Sequence, residues 1–361
     1  MVVYPTNPVV IALPYLPLSS PVVIGPWRAE PLAGYEGEWF NEDFERLGRA
    51  FLSAFRRPNG EVLERPSVVS RADSGIDGNP PSEAELRSLG LAIGFAVLDA
   101  NPNWEPGADG FRSATADNAE VWVQPIDLAG GFFTLQSGFR IQTLAGGLRL
   151  NNELVVPVPV EIHFPWSVRP DSELATTVYD LAVNEDGSDG EIKRLLVAID
   201  WLLACWRNTP SLSWESRLVQ MKTAFEALLD QSDTPKAMPL LRQVFEAGQP
   251  YPTDTLWRPE EPTRQRRVKD KVFDVTLIEH WYGALSDARN AIIHEGRRGS
   301  DVLVYAEEGS PYKGPFVDIG DRVLREAIKS KVVTVGHPRA AMTVLERSAH
   351  DWWENRKTDE P

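Results

Sequence analysis

Apolar residues recur along this chain with two different periods, and the change of period divides it. In the first half they come in short β-branched runs. Val9–Leu13 and Val22–Ile24 are each bounded by proline, which predicts strands at a sheet edge. Two helices interrupt this pattern. Phe44, Leu47, Phe51 and Phe55 share one face over residues 42–55, with Asn41 as N-cap and Glu42 and Asp43 in the first turn, where acids suit the helix dipole. Ser82 and Glu85 form a capping box that opens a second helix with Leu86, Leu89, Ile93 and Val97 inside. Residues 57–81 and 101–110 are rich in glycine, proline and aspartate and read mainly as loop. Short strands follow at 121–123, 132–135, 139–143, 148–150 and 155–164, separated by Gly-Gly and Asn-Asn turn signals.

Past the polar, glycine-bearing residues 184–190 the spacing changes to three and four. Ile192, Leu195, Leu196, Ile199, Leu202, Leu203 and Trp206 make a broad apolar face, and Trp214, Leu218, Met221, Phe225 and Leu228 make the next. A shorter helix is expected near 239–247, then a proline-rich loop over 248–262. Leu277, Trp281, Leu285, Ala288 and Ile292 mark a long helix from about Val275, with Gly296 as its stop. Residues 302–305 are expected to pair as a strand with 316–319, and helices at 321–331 and 339–353 close the chain. The predicted class is α+β. A β-rich N-terminal domain over residues 1–185 precedes an all-α domain over 190–361.

Charge sharpens the division. Of the net −15, the part from Asp186 onward holds 25 Lys+Arg against 28 Asp+Glu, near −3, leaving 12 against 24, near −12, for the first 185 residues. An acidic first half is a poor nonspecific binder of nucleic acid, since phosphate contacts need cations. One cysteine, Cys205, excludes an intrachain disulfide and any multi-cysteine metal site, and its apolar setting predicts an inert core thiol. No apolar run approaches a membrane span, and residues 1–20 lack the basic start of a signal peptide, so a cytoplasmic protein is expected. Phosphate-binding, dinucleotide and nucleophile-elbow motifs are absent, and no histidine pair has zinc spacing.

The chemistry gathers at one helix end. Asn290 and His294 lie four residues apart and nearly above one another, with Arg289 one step round. A histidine beside a fixed cation is a minimal set for cleaving RNA, which carries its own nucleophile in the 2′-hydroxyl. His294 would act as base, or as acid toward the leaving 5′-oxygen. Arg289 would grip the phosphate in its planar fork, and Asn290 would orient the pair. Arg297 and Arg298 follow and could meet RNA backbone, as could the basic run Arg264, Arg266, Arg267, Lys269 and Lys271. The structural alternative is a histidine favoured by the helix dipole, with Arg289 in a salt bridge to Asp287 or Glu295. Glu226 is either a polar residue near the site or a plain surface glutamate.

Arg289-Asn-x-x-x-His294 resembles the RNxxxH form of the signature of HEPN ribonucleases. The helices at 191–206 and Trp214–Leu229, the second containing Phe225-Glu226-Ala-Leu-Leu, are similar to paired helices of the family's abortive-infection branch. The resemblance covers roughly residues 191–331. It implies a HEPN-like helical bundle and a metal-independent endoribonuclease with no cofactor. It also implies a 2′,3′-cyclic phosphate product, RNA as partner (transfer RNA included), a homodimer or higher even oligomer, and a toxin-like antiphage role with the first domain as sensor or regulator. Some HEPN members are instead non-catalytic RNA- or nucleotide-binding and dimerisation modules, and that reading stays open alongside the nuclease.

Overall fold

The computed structural model describes residues 8–56, 60–63, 65–100, 115–128, 132–133, 149–150, 153–154, 156–157, 167–207, 212–247, 264–268, 271–306 and 313–336. The chain divides into two compact units, Met1–Asp186 with Trp206–Pro210, and Gly187–Cys205 with Ser211–Pro361. The first carries an antiparallel sheet, and helices dominate afterwards, an arrangement compatible with α+β.

In the first unit the elements run β1 (Val9–Leu13), β2 (Val22–Ile24), β3 (Trp27–Pro31), α1 (Glu42–Leu52), β4 (Phe55–Arg56), β5 (Ser67–Arg71), α2 (Glu83–Asp99) and β6 (Trp122–Asp127). The short strands β7 (Phe132–Phe133), β8 (Arg149–Leu150), β9 (Glu153–Leu154) and β10 (Val156–Pro157) precede α3 (Ser172–Val183). The main sheet has the order β2-β3-β5-β1-β6-β7, all antiparallel. β1 was expected at an edge. It is central, with Ile11 opposite both Val69 and Val123, because its flanking prolines fall outside the strand and all five of its residues are buried. β5 lies in a stretch read mainly as loop and β3 in one given no element, yet they bring Trp27, Ala29, Val68 and Val69 into the core.

α1 has the expected cap, Asn41 Oδ1 accepting the Phe44 N–H at 2.8 Å, and it packs Phe44, Leu47 and Phe51 with Val10, Ala12, Trp122 and Ile126. α2 opens with the Ser82/Glu85 capping box read from the sequence. Its carboxyl lies below the ordinary range. Burial pushes it up, but the Ser82 hydrogen bonds and the Arg71 charge outweigh that. α3 was not anticipated. It packs on α2 and on β2, where Gly25 sits at φ +58 and a Cβ would fall 2.5 Å from the Tyr179 ring. Tyr179 in turn accepts the indole N–H of Trp27 at 3.2 Å.

The second unit runs α4 (Gly190–Cys205), α5 (Trp214–Leu229), α6 (Thr234–Ala247), the hairpin β11 (Arg264–Val268) and β12 (Lys271–Val275), α7 (Leu277–Glu295), the one-turn α8 (Ser300–Leu303), β13 (Val304–Ala306), β14 (Lys313–Pro315) and α9 (Phe316–Gly336). α5 packs with α4, α7 and α9, and α6 with α7 and α9. Their shared core holds Leu195, Ile199, Met221, Phe225, Trp281 and Leu324. Residues 316–319 were expected to be a strand. They form the first turn of α9 instead, since Phe316, Val317, Ile319, Val323 and Leu324 keep the three-and-four spacing of its buried face, and the strand partner of Val304–Ala306 is Lys313–Pro315. Cys205 is buried. The expected helix at 339–353, the loop at 101–110 and the strand at 139–143 lie outside the described residues. No helix among the described residues is long and apolar enough to cross a membrane.

Candidate functional site

Arg289, Asn290 and His294 are all placed by α7. Thr276 caps its start in a reciprocal box. The Thr276 N–H and hydroxyl both donate to Glu279 Oε2, at 2.8 and 2.9 Å, while the Glu279 N–H returns to Thr276 Oγ1 at 3.4 Å. Both residues are buried, so the box satisfies donors that water cannot reach. One turn on, the Arg266 guanidinium lies across the helix at Gly283, where any Cβ would collide with it. It donates to the Asp287 carboxylate and to the His280 carbonyl. Asp287 is therefore engaged by Arg266 rather than, as the structural alternative had it, by Arg289. Arg266, 8% exposed, likewise leaves the basic surface run. Of that run, Arg267 and Lys271 remain exposed and Lys269 lies outside the described residues.

The middle of α7 faces α5 through a buried polar network. Lys222 is 2% exposed, and its ammonium donates to Glu226 Oε1 at 2.8 Å and to the Tyr282 hydroxyl at 3.0 Å. Phe225 packs edge-on against Trp281 and Tyr282. Burial pushes the Lys222 ammonium below the ordinary lysine value. The Glu226 hydrogen bond and charge oppose this, and the Arg289 charge adds to it. Burial, with the Glu226 charge behind it, raises the Tyr282 hydroxyl. Glu226 is thus the partner of a buried lysine rather than a plain surface glutamate. The network was missed in the sequence, although Lys222 falls on the apolar stripe of Leu218, Met221 and Phe225, where a lysine needs a partner.

The last turns of α7 are different. Ala288 and Ala291 keep the buried stripe, Ile292 is partly covered, and Ile293 is 45% exposed. Arg289 is half-buried, and Asn290 and His294 are exposed. Arg289 Nη1 donates to Asn290 Oδ1 at 3.1 Å, which joins the cation to its neighbour. Among the described residues the His294 ring makes no hydrogen bond. Arg289 and His294 are five residues apart, roughly 140° round the helix and about 7.5 Å along it. They share the helix end but not one face, so one copy offers the two groups to different sides of a short ridge.

Gly296 closes the helix at φ +67, a conformation that favours glycine, and its N–H and that of Arg297 both return to the Ala291 carbonyl. Arg297 donates to Asp301 Oδ2 at 2.6 Å, a hydrogen bond that, with the arginine charge, holds that carboxyl below its ordinary range. Arg297 is thus paired with an acid while its side chain stays half exposed. Arg298 is exposed. Glu215 Oε1 accepts the Gly299 N–H at 3.5 Å, so the start of α5 clasps the loop that follows α7. The Glu215 carboxyl lies below the usual range, first through its own backbone N–H and the Ser213 hydroxyl, then through Gly299 and the Arg298 charge, against a small opposing effect of burial. His280, outside this group, meets the Tyr305 hydroxyl at 3.1 Å.

Arg289, Asn290, His294 and Arg298 thus present a cation, an amide, an imidazole and a second cation on one exposed helix end. Compared with family models, curated proteins and solved structures, the chain matches none.

Proposed function

We propose that the second unit is a metal-independent endoribonuclease of the HEPN type, acting on single-stranded or looped RNA. The observation that supports it is the exposed end of α7, where Arg289 is joined to Asn290 and the His294 ring is free among the described residues to take a proton. His294 removes the 2′-hydroxyl proton. The 2′-oxygen attacks the adjacent phosphorus and the bond to the 5′-oxygen breaks. The products are a 2′,3′-cyclic phosphate and a 5′-hydroxyl, with the leaving oxygen taking a proton from a protonated histidine. Arg289 carries the charge that develops on the phosphorane oxygens.

The angular separation of Arg289 and His294 gives the proposed homodimer a chemical purpose. Two α7 ends related by a two-fold axis would set an arginine of one copy beside a histidine of the other, and such a contact is self-complementary. The defence role implied by the resemblance, with the acidic first unit as trigger-sensing element, belongs to the same proposal.

The test is cleavage of a labelled single-stranded RNA by wild type and His294→Ala, with and without EDTA. Loss of a catalytic base should lower the rate by about 10²–10⁴-fold, with melting unchanged and chelation without effect. Full activity in folded His294→Ala would remove this site from the chemistry. RNA bound but not cut by wild type would instead favour the non-catalytic binding module.

A further inference from the structure

Near the start of α5 lies an aromatic side chain that the nuclease chemistry does not use. Trp214 is the first residue of the helix, directly after the N-cap Ser213, whose hydroxyl accepts the Ser216 N–H at 3.2 Å. Its spacing of four and seven residues from Leu218 and Met221 predicts that it turns into the core with them. It does not, and it is 49% exposed. Its ring is nevertheless held. The Arg217 guanidinium lies 5.6 Å from the ring centroid, and Arg217 Nη1 donates to the Cys205 carbonyl at 2.6 Å. A fixed cation therefore backs part of the indole while the rest meets solvent. The next residue, Glu215, clasps the Gly299 N–H, and Gly299 stands five positions beyond His294. One hydrogen bond thus joins the turn that carries the indole to the loop that carries Arg298.

We propose that Trp214 is a stacking platform for an unpaired nucleobase close to the scissile phosphate, and so the residue that makes the substrate single-stranded. The proposal takes its chemistry from the nuclease reading above, whereas the platform itself stands on the exposed, cation-backed ring. Every base has a π face, so stacking on an aromatic ring tolerates any sequence, and an arginine behind the ring adds to it. In an A-form duplex both faces of a base are covered by its neighbours and only the edges are accessible. A duplex therefore cannot use Trp214, while a splayed strand can stack on it with its phosphates directed to Arg298 and Arg289.

The experiment is a cycle between protein and RNA. Full-length wild type, Trp214→Ala and Trp214→Phe are compared on one single-stranded RNA, on the same RNA with single abasic positions placed in turn around the cut, and on the matching duplex. Rates are read as kcat/KM, and affinities are read in a His294→Ala background. Trp214→Ala should weaken single-strand affinity by about 5- to 150-fold, the range that one stacked base supplies, and leave the already weak duplex binding unchanged. Trp214→Phe should keep most of the wild-type value. One abasic position should cost wild type a similar factor and cost Trp214→Ala nothing further. Losses that multiply at every abasic position, or wild-type affinity in Trp214→Ala, overturn the platform. If Trp214→Ala melts early, Trp214→Leu, apolar but without a π face, takes its place with the same expected loss. Wild type that binds without cutting refutes the nuclease reading and leaves the platform to be judged on affinity. Wild type that neither binds nor cuts any RNA overturns both.

Discussion

Helix α7 begins among polar groups that are buried and paired, and it ends among polar groups that are exposed. At its start Thr276 and Glu279 close a buried capping box, Arg266 lies on Gly283 and reaches Asp287, and Lys222 joins Glu226 to Tyr282. At its end Arg289, Asn290 and His294 use one mutual hydrogen bond among the described residues. The same helix thus carries two kinds of polar residue. Those at the start and middle are paired, so changing them should be felt in stability. Those at the end are left available, so changing them should be felt in activity.

The largest expected effect lies at the open end. Arg289→Ala should lower RNA cleavage by about 10²–10³-fold, the cost of removing one donor to a developing oxyanion. Melting should stay close to wild type, since the one hydrogen bond of the side chain among the described residues is to the exposed Asn290. A large drop in melting temperature would show that this end, too, is structural, and the contrast would fail.

A smaller effect is expected in the middle. Glu226→Ala strands the Lys222 ammonium in the core with Tyr282 alone. Breaking a buried pair costs about 3–5 kcal/mol, and the 24% exposure of the Glu226 side chain reduces this to about 2–3 kcal/mol. Lys222→Met removes the buried charge and keeps the volume, and what remains is the partner lost by the part-exposed Glu226 carboxylate and by the Tyr282 hydroxyl, so it should cost less, about 1–2 kcal/mol. Urea unfolding of the two variants checks the order, and both should cut RNA at the wild-type rate when folded. A larger loss for Lys222→Met would mean that the pair is not what the lysine is there to satisfy.

The smallest effect is on pH dependence. Burial holds Lys222 below 10.5, so between its folded value and 10.5 the unfolded chain binds a proton that the folded chain has released. Stability therefore rises with pH through that window. Tyr282 acts the other way. Burial raises its hydroxyl above 10.0, so beyond that pH the folded chain keeps a proton the unfolded chain has lost, and stability falls. The urea midpoint should climb toward pH 10 and then decline, and Lys222→Met should flatten the climb while leaving the decline. An unchanged climb in that variant would place its origin elsewhere.

What could be read in the sequence follows from the range of the interactions involved. The caps Asn41 and Ser82/Glu85 act over three residues and were legible, as was the face of α7 that leaves Asn290 and His294 outside. β5, with Ser67 and Arg71 at its ends, was not, because its burial comes from pairing with β1 and β3 rather than from its own composition. β11 and β12 are charged strands without apolar alternation, held to α7 by Arg266 and Val275. α3 contains the β-branched Thr176, Thr177 and Val178, which lower helix propensity, and packing on α2 overrides them. At the candidate site the residues gathered on the exposed helix end were legible. The pairing of Arg297 with Asp301, the Glu215 clasp and the burial of Arg266 depend on tertiary approach.

The contact between Arg266 and Gly283 has a bearing on the order of folding. β11 pairs with β12, which starts three positions after β11 ends, β12 ends at Val275 next to the cap of α7, and Arg266 reaches Asp287 over a separation of 21 residues. These contacts span at most 21 residues, and closing a loop of that length costs less entropy than the approach of α4 or α5. Hairpin and helix can therefore nucleate together as one cooperative segment before α4, α5 and α9 assemble around them. In pulse-labelling hydrogen exchange the amides of 264–295 should gain protection as a group, ahead of the Lys222 network, and Gly283→Ala, which evicts the arginine, should separate hairpin from helix in time. The helix that presents Arg289 and His294 would then be an early template on which the rest of its unit condenses.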